Sequence, residues 1–419
     1  MLRFWWILKD ISSRMWFSAS LYGIVAALTP LIAALVEYFI PAELPQKIGV
    51  DSVDSILNVL AMSMLSVTIF SLGSMVSAYA AATSNVTPRA TRLLIKDKIS
   101  HRALSTFLGS FIFSIVGIAA LKGGMYGETG RFVLYVMTMG VIAMVVLTLL
   151  RWIEYLARLG RVDETIERVE RATAEALTNR LKLPSLGAQP LEKEVPKTAM
   201  PVYATDIGHV QHIDMHKLNE LAEEYKIKVY VNAHPGKFVN PSMAVAHITG
   251  RKKPSTELAK AINRAFITSE SRSFEQDPRF GLAVMQEIAV RALSPAINDP
   301  GTAIHVINSA VRVLALCHKH AELAKDAAEP KYKNVYMGNI DLADLYEDIF
   351  PPIARDGAGN LQVQIWLQKA YASLASMDYK NAKRIAKAHA EQSIKRAEQG
   401  MTLKEDLQTL KKMKQETFK

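Results

Sequence analysis

The stretch that decides the fold is Ile56 to Ala82, ILNVLAMSMLSVTIFSLGSMVSAYAAA, which continues into TSNVTPRATRLLIKDKISHR and ends at Arg102. The first part carries no charge and exceeds the roughly 20 residues that a bilayer-spanning helix needs. It predicts a membrane helix. At about 100° per residue, Ser63, Ser66, Ser71, Ser74 and Ser77 fall within one arc of roughly 140°. Phe70 and Ala81 lie inside that arc, and Ser84 extends it. The second part is a basic foot, with Arg89, Arg92, Lys96, Lys98 and Arg102 set against Asp97. Such cations suit contact with anionic lipid.

The serine stripe has two readings. Gly73, Ser77 and Ala81 form a small-xxx-small series that lets helices approach closely. A serine in a membrane helix can also bond its own i−4 carbonyl, so it needs no water. Alternatively, the stripe lines a wet path between subunits. Both readings stay open at this level, and they predict opposite surroundings for Ser66 and Ser74.

Outward from this helix, three more apolar segments appear: Trp16–Ile40, Leu104–Leu121 and Phe132–Leu150. All four lie before residue 152 of a 419-residue chain that is 50% hydrophobic with a formal charge of +10. Basic connections alternate with acidic or neutral ones. Arg3, Lys9 and Arg14 precede the first segment, and Glu43, Asp51 and Asp54 follow it. The basic foot follows the second, and Arg151, Arg158 and Arg161 follow the fourth. This pattern predicts both termini in the cytoplasm, with Trp5, Trp6, Trp16 and Trp152 as interfacial anchors. The single cysteine, Cys317, excludes an intrachain disulfide.

The remaining chain reads as an α+β region. Residues 152–201 predict a solvated, salt-bridge-laced helix and a Pro-rich linker with Pro184, Pro190, Pro196 and Pro201. Residues 202–250 predict a small β unit: Val202–Ala204, His209–Ile213, Ile227–Ala233 and a broken Phe238–Ile248, with a helix Met215–Tyr225 capped by Asp214. The series G-x-x-V-x-x-x-x-x-V from Gly236 to Val245 resembles the second half of a biotinyl/lipoyl-type barrel-sandwich. Lys217 sits on the helix rather than at a hairpin tip, so no carrier lysine is expected. His209, His212, His216 and His234 cluster in sequence without metal-ligand spacing. Residues 251–400 predict mainly helices, two of them opened by Asp277–Pro278 and Asp299–Pro300, with a short strand near Val335–Met337 and a helix Asp341–Ile349. A helix is also expected from Ser255 to about Thr268, and the tail after residue 400 reads as charged and frayed.

Between the Asp-Pro starts lies Arg291–Thr302, dense in turn formers and hydrogen-bonding side chains. It reads either as a helix–turn–helix corner or as a ligand or subunit contact that uses Arg272, Arg291, Asn298, Asp299 and His305.

The run RALSPAINDPGTA (291–303) resembles the signature of a bacterial family of predicted membrane proteins, "domain of unknown function 2254". Gln276–Gly281, Thr87-Pro88-Arg89, Leu104–Gly109 and Pro235–Val239 fit the same pattern. Ser273 stands where threonine is usual, and Ala296 where glycine is. The resemblance implies an integral inner-membrane protein with four helices and a cytosolic domain. It implies no established activity.

The chain is therefore expected to comprise a four-helix transmembrane domain (1–151), a helix and linker (152–201), a small β domain (202–250), a helical domain (251–400) and a basic tail (401–419). The expected function is a homo-oligomeric channel or transport protein for an ion or small solute, with a cytosolic vestibule. A membrane-anchored sensor or scaffold is the alternative. No G-x-S-x-G, P-loop, dinucleotide fingerprint or metal-ligand run is present, so neither an enzyme nor a cofactor is expected. The basic residues lie at membrane edges and on long helices with little aromatic interleaving, which argues against nucleic acid.

Overall fold

A computed structural model of the chain describes residues 20–21, 24–25, 28, 50–95, 97–191, 194–250, 255–319, 329–377 and 381–417. The segment Trp16–Ile40, its anchors Trp5, Trp6 and Trp16, and Lys96 lie almost wholly outside the described residues. The chain forms two compact units, residues 1–85 with 91–164, and residues 86–90 with 165–419.

The first unit is helical. α1 (Val50–Asn85) is followed by the short α2 (Pro88–Ile95), then α3 (Lys98–Lys122) and α4 (Glu128–Leu156). α1, α3 and α4 each contain an apolar stretch long enough to cross a membrane. Each extends beyond the apolar run that marks it in sequence, because polar residues continue the helix on both sides. α3 is the inner helix and packs against both others. Its small face allows this: a Cβ on Gly117 would lie 3.3 Å from Leu57 Cδ1. Ser110 and Ser114 on α3 are fully buried and donate to Thr106 O and Ser110 O. Thr138 and Thr148 on α4 do the same with Leu134 O and Met144 O. Hydroxyls that bond the preceding turn can be buried away from water without loss.

Trp152 is not an exposed anchor. It is 1% exposed, stacks on Tyr155 at 5.3 Å, and its Nε1 donates to Ser71 Oγ at 2.9 Å. Tyr155 in turn bonds Ser100 and Asp97, the α3 N-cap. An indole N–H turned into a helix bundle finds a polar partner there.

The helix after the fourth span is a separate element. α4 ends at Leu156, Gly160 turns the chain at φ +83°, and α5 (Val162–Lys182) begins anew. α5 is not solvated all round. Ile166, Val169, Leu177 and Arg180 are buried, because the heptad-like apolar face has a core to meet.

The second unit holds two sheets. The larger is mixed, with strand order β1-β8-β4-β6-β2: Ala188–Pro190, Tyr332–Met337, Lys228–Val231, Ala244–Thr249 and Met200–Tyr203. The smaller is β5-β3-β7: Phe238–Val239, Gly208–Ile213 and Phe266–Ser269. This differs from a self-contained barrel-sandwich over 202–250. β1, β7 and β8 come from outside that segment, and β8 inserts beside β4 in parallel. Helices α6 (Met215–Glu224) and α7 (Thr256–Arg264) cover the sheets through Leu218, Leu221, Leu258 and Ile262. α7 stops at Arg264 rather than Thr268, because Phe266–Ser269 pairs with β3.

The rest is helical: α8 (Pro278–Ala292), α9 (Pro300–Leu314), α10 (Leu342–Asp356), α11 (Leu361–Ala375), α12 (Ala382–Gly400) and α13 (Lys404–Thr417). The expected caps form, with Asp277 accepting from Phe280 N at 3.1 Å and Asp299 from Thr302 N at 3.1 Å. α9 with its 3₁₀ extension is also apolar enough to pass for a span. Its apolar side is buried within this unit, and its Arg312 pairs with Glu170. The tail is not frayed over 404–417. Leu410 is fully buried with Ile394 and Ala397, and Leu407 packs beside them.

Candidate functional site

Two places carry chemistry: the outer face of α1 and an ionic cluster in the second unit.

On α1, Ser63, Ser66, Phe70, Ser77 and Ser84 are exposed, and Ser74 is half-buried. Phe70 is 69% exposed, and a Cβ on Gly73 would meet no atom within 4 Å. Ser71, at the edge of the arc, is the exception that turns inward to Trp152. Ser66 donates to Met62 O at 3.0 Å. Among the described residues the face is therefore exposed, polar along one line, and flanked by Met62, Ile69 and Val76, all exposed.

The basic foot is split. Arg92 and Arg102 are exposed. Arg89 is engaged instead: within the second unit its Nη1 pairs with Glu287 on α8. Thr87 Oγ1 donates to the other oxygen of the same carboxylate at 3.1 Å. The side chain of Lys98, like Lys96, lies outside the described set.

The ionic cluster is assembled by turns. Pro235 and Gly236 form the centre of a tight turn closed by Lys237 N to His234 O at 3.0 Å. Gly236 takes φ +88°, the conformation a type II turn needs at that place. Asp277, 3% exposed, caps α8 against this turn. Arg272 grips it in a fork, Nε to Oδ2 at 2.8 Å and Nη2 to Oδ1 at 3.0 Å. The Arg272 guanidinium also lies 5.2 Å from the Phe280 ring. Gln276 Oε1 accepts from Ile213 N at 3.0 Å, which ties the loop to β3. Arg279 is held by Asp348 at 2.6 Å and Asp344 at 2.8 Å, both on α10.

Burial sets the electrostatics. It pushes the Asp277 carboxyl up against the opposing pull of Arg272 and the Phe280 N–H. Burial, with Arg180, Lys237 and Arg279 behind it, holds His234 down to about 4. The unfolded imidazole titrates near 6.5, so between about pH 6.5 and about pH 4 the unfolded chain binds a proton that the folded one refuses. Stability is full above that window and falls as pH drops through it. A loss of roughly 2 kcal/mol between about pH 7.5 and about pH 4.5 is expected in denaturant titrations, and His234→Gln should flatten that limb. An unchanged acid slope in His234→Gln would remove His234 from the account.

The expected corner residues do not join this cluster. Arg291, Asn298 and Asp299 do meet at the α8–α9 turn. Asn298 adopts φ +48°, Asp299 N donates to Ala292 O at 2.8 Å, and Ser294 Oγ donates to Arg291 O at 2.6 Å. Arg272 lies at the other end of α8, and a helix from 277 to 291 runs about 21 Å. His305 stands further along α9 in the field of Glu170, which Arg312 holds in a fork at 2.7 and 2.6 Å. The four histidines scatter over β3, α6 and the turn after β4. Sequence reasoning took Asp277 as a cap and placed it, Arg279 and Gly236 in the runs of the family resemblance, but named none of them as a site residue, and it missed Arg180. Their signal was faint: the segments 235–239 and 276–281 each place a glycine beside basic or acidic residues.

Long apolar helices joined to a sheet-and-helix unit define a helical membrane protein. The chain belongs to the family described as "Predicted membrane protein (DUF2254)", whose model matches residues 12–373. Similar curated proteins are "Uncharacterized protein Mb1321c" of Mycobacterium bovis and "Uncharacterized protein Rv1290c" of Mycobacterium tuberculosis. Each is 25% identical over 245 residues, which is 54% of this chain and 45% of the relative. The chain thus spans about half the length of the curated relatives it matches. No solved structure matches it significantly.

Proposed function

We propose that the chain works as a homo-oligomer in the bacterial inner membrane, where the outer face of α1 forms a seam around a path for an ion or small polar solute. The observation that carries this reading is the line Ser63–Ser66–Gly73–Ser77, exposed among the described residues, on a helix whose opposite face is packed. A few spans per chain cannot enclose a pore, so the path needs several copies. The Ser66 hydroxyl, which bonds Met62 O, still offers an oxygen lone pair to a passing solute or a facing helix. The second unit then lies in the cytoplasm, as loop charge predicts. Arg92 and Arg102 face anionic headgroups there. A regulatory part is supported by the clamp on Glu287, which grips Thr87 and Arg89 just after α1 ends at Asn85.

The test is solute flux through liposomes carrying the purified chain. Ser66→Trp and Ser74→Trp should lower flux at least about tenfold. Ser66→Trp should leave stability within about 0.5 kcal/mol, because the site is outward. No flux from the intact chain, together with unaltered behaviour of both variants, would abandon the channel. The alternative, a membrane-anchored sensor or scaffold, would then stand on the same clamp.

A further inference from the structure

Arg180 on α5 is the guanidinium of the ionic cluster that, among the described residues, no carboxylate grips directly. It is 4% exposed, and among the described residues its Nε and Nη1 have no hydrogen-bond partner. The nearby acids are already taken. Asp277 has both oxygens on Arg272 and one also on the α8 cap, while Asp344 and Asp348 hold Arg279. His234 is neutral at pH 7 and supplies no counter-charge. Beside Arg180 lies a cavity of about 10 Å³, walled by Leu177, Leu181, Ile340, Leu342 and Leu345, with Asn339 as its other polar neighbour and Cys317.

We propose that this cavity binds one small monovalent inorganic anion, of chloride size, against the Arg180 guanidinium. A buried guanidinium with unsatisfied donors is costly even with the Asp277 charge in reach, and an arginine cannot shed its proton near neutral pH. A water molecule would satisfy donors without offsetting the charge. The volume holds about one small particle, which excludes phosphate, sulfate and organic acids. The apolar wall keeps the dielectric low and strengthens the attraction. Such a site would let halide concentration set the stability of the second unit, whether or not α1 conducts.

The test uses the full chain in detergent. Melting is followed in sodium chloride or bromide against sodium gluconate at equal ionic strength. The expected result is a saturable halide-dependent rise of about 3 °C. Arg180→Met should lose that dependence, and in gluconate it should melt no lower than the parent, because a buried guanidinium with unsatisfied donors has been removed. Crystals grown in bromide should show an anomalous peak beside Arg180 Nε and Nη1. Should Arg180→Met fail to fold, the bromide peak and the parent's titration decide alone. An ordered water only, no halide specificity, or a halide effect that persists in Arg180→Met would each overturn the site.

Discussion

Gly236→Val should cost the second unit about 3–5 kcal/mol, lowering its melting point by roughly 10 °C. Two independent effects add. Gly236 sits at φ +88°, where a β-branched residue is strained. A Cβ built there also falls 2.8 Å from Asp277 Cγ and 3.0 Å from Arg272 Nη2. Neither neighbour can step aside. Asp277 is fixed by two bonds from Arg272 and one from Phe280 N, and the Gly236 N–H is tied to Val210 O at 2.8 Å. The control is Gly140→Ala on α4, where an added Cβ meets no atom within 4 Å. That change should be neutral or slightly stabilising, since alanine suits a helix interior. If Gly236→Val melted with the parent, the turn would not be pressed against the carboxylate and the cluster would be looser than described.

Much of the fold was legible because its signals are local. Capping chemistry placed the starts of α6, α8 and α9 through Asp214, Asp277 and Asp299, whose side chains accept from Lys217 N, Phe280 N and Thr302 N. Apolar length placed α1, α3 and α4. What failed was non-local. β7 is four residues long and was absorbed into the preceding helix, because only its pairing with β3 makes it a strand. β8 joins β4 from about a hundred positions away, and no periodicity encodes that partner. α10 runs through Pro351 and Pro352 to Asp356, because burying Ile353 and Ala354 outweighs the lost backbone bonds. α13 looked frayed because its charges outnumber its apolar residues, yet Leu410, with Leu407 beside it, anchors it.

The candidate sites divide in the same way. The serine arc on α1 was visible from 100° spacing, but spacing cannot say which side of a helix its neighbours occupy. Ser71 at the arc's edge turns to a neighbour, and it needed Trp152, eighty-one positions away, to do so. The ionic cluster was invisible because each member has a bland local role: a cap in Asp277, a turn in Gly236, a helix surface in Arg180. Their meeting depends on α5, the turn after β4 and the start of α8 converging, which is a property of the packed unit.

Asp277→Ala should destabilise the second unit by about 3–5 kcal/mol, well beyond the loss of a helix cap, which costs about 1 kcal/mol. The excess comes from cations. Arg272 loses both its bonds, and Arg180 loses the carboxylate whose charge it senses. Asp277→Asn keeps an acceptor for Phe280 N and should fall between the parent and the alanine variant. Asparagine has nearly the shape of aspartate, so its deficit reflects the missing counter-charge rather than a cavity. Combining Asp277→Ala with Arg180→Met should recover about 1–2 kcal/mol of the loss, because one uncompensated guanidinium is then gone. Denaturant titrations of the four proteins give the coupling directly. A strictly additive double variant would mean that Arg180 does not sense Asp277. A loss confined to about 1 kcal/mol would reduce Asp277 to the cap that its sequence suggested.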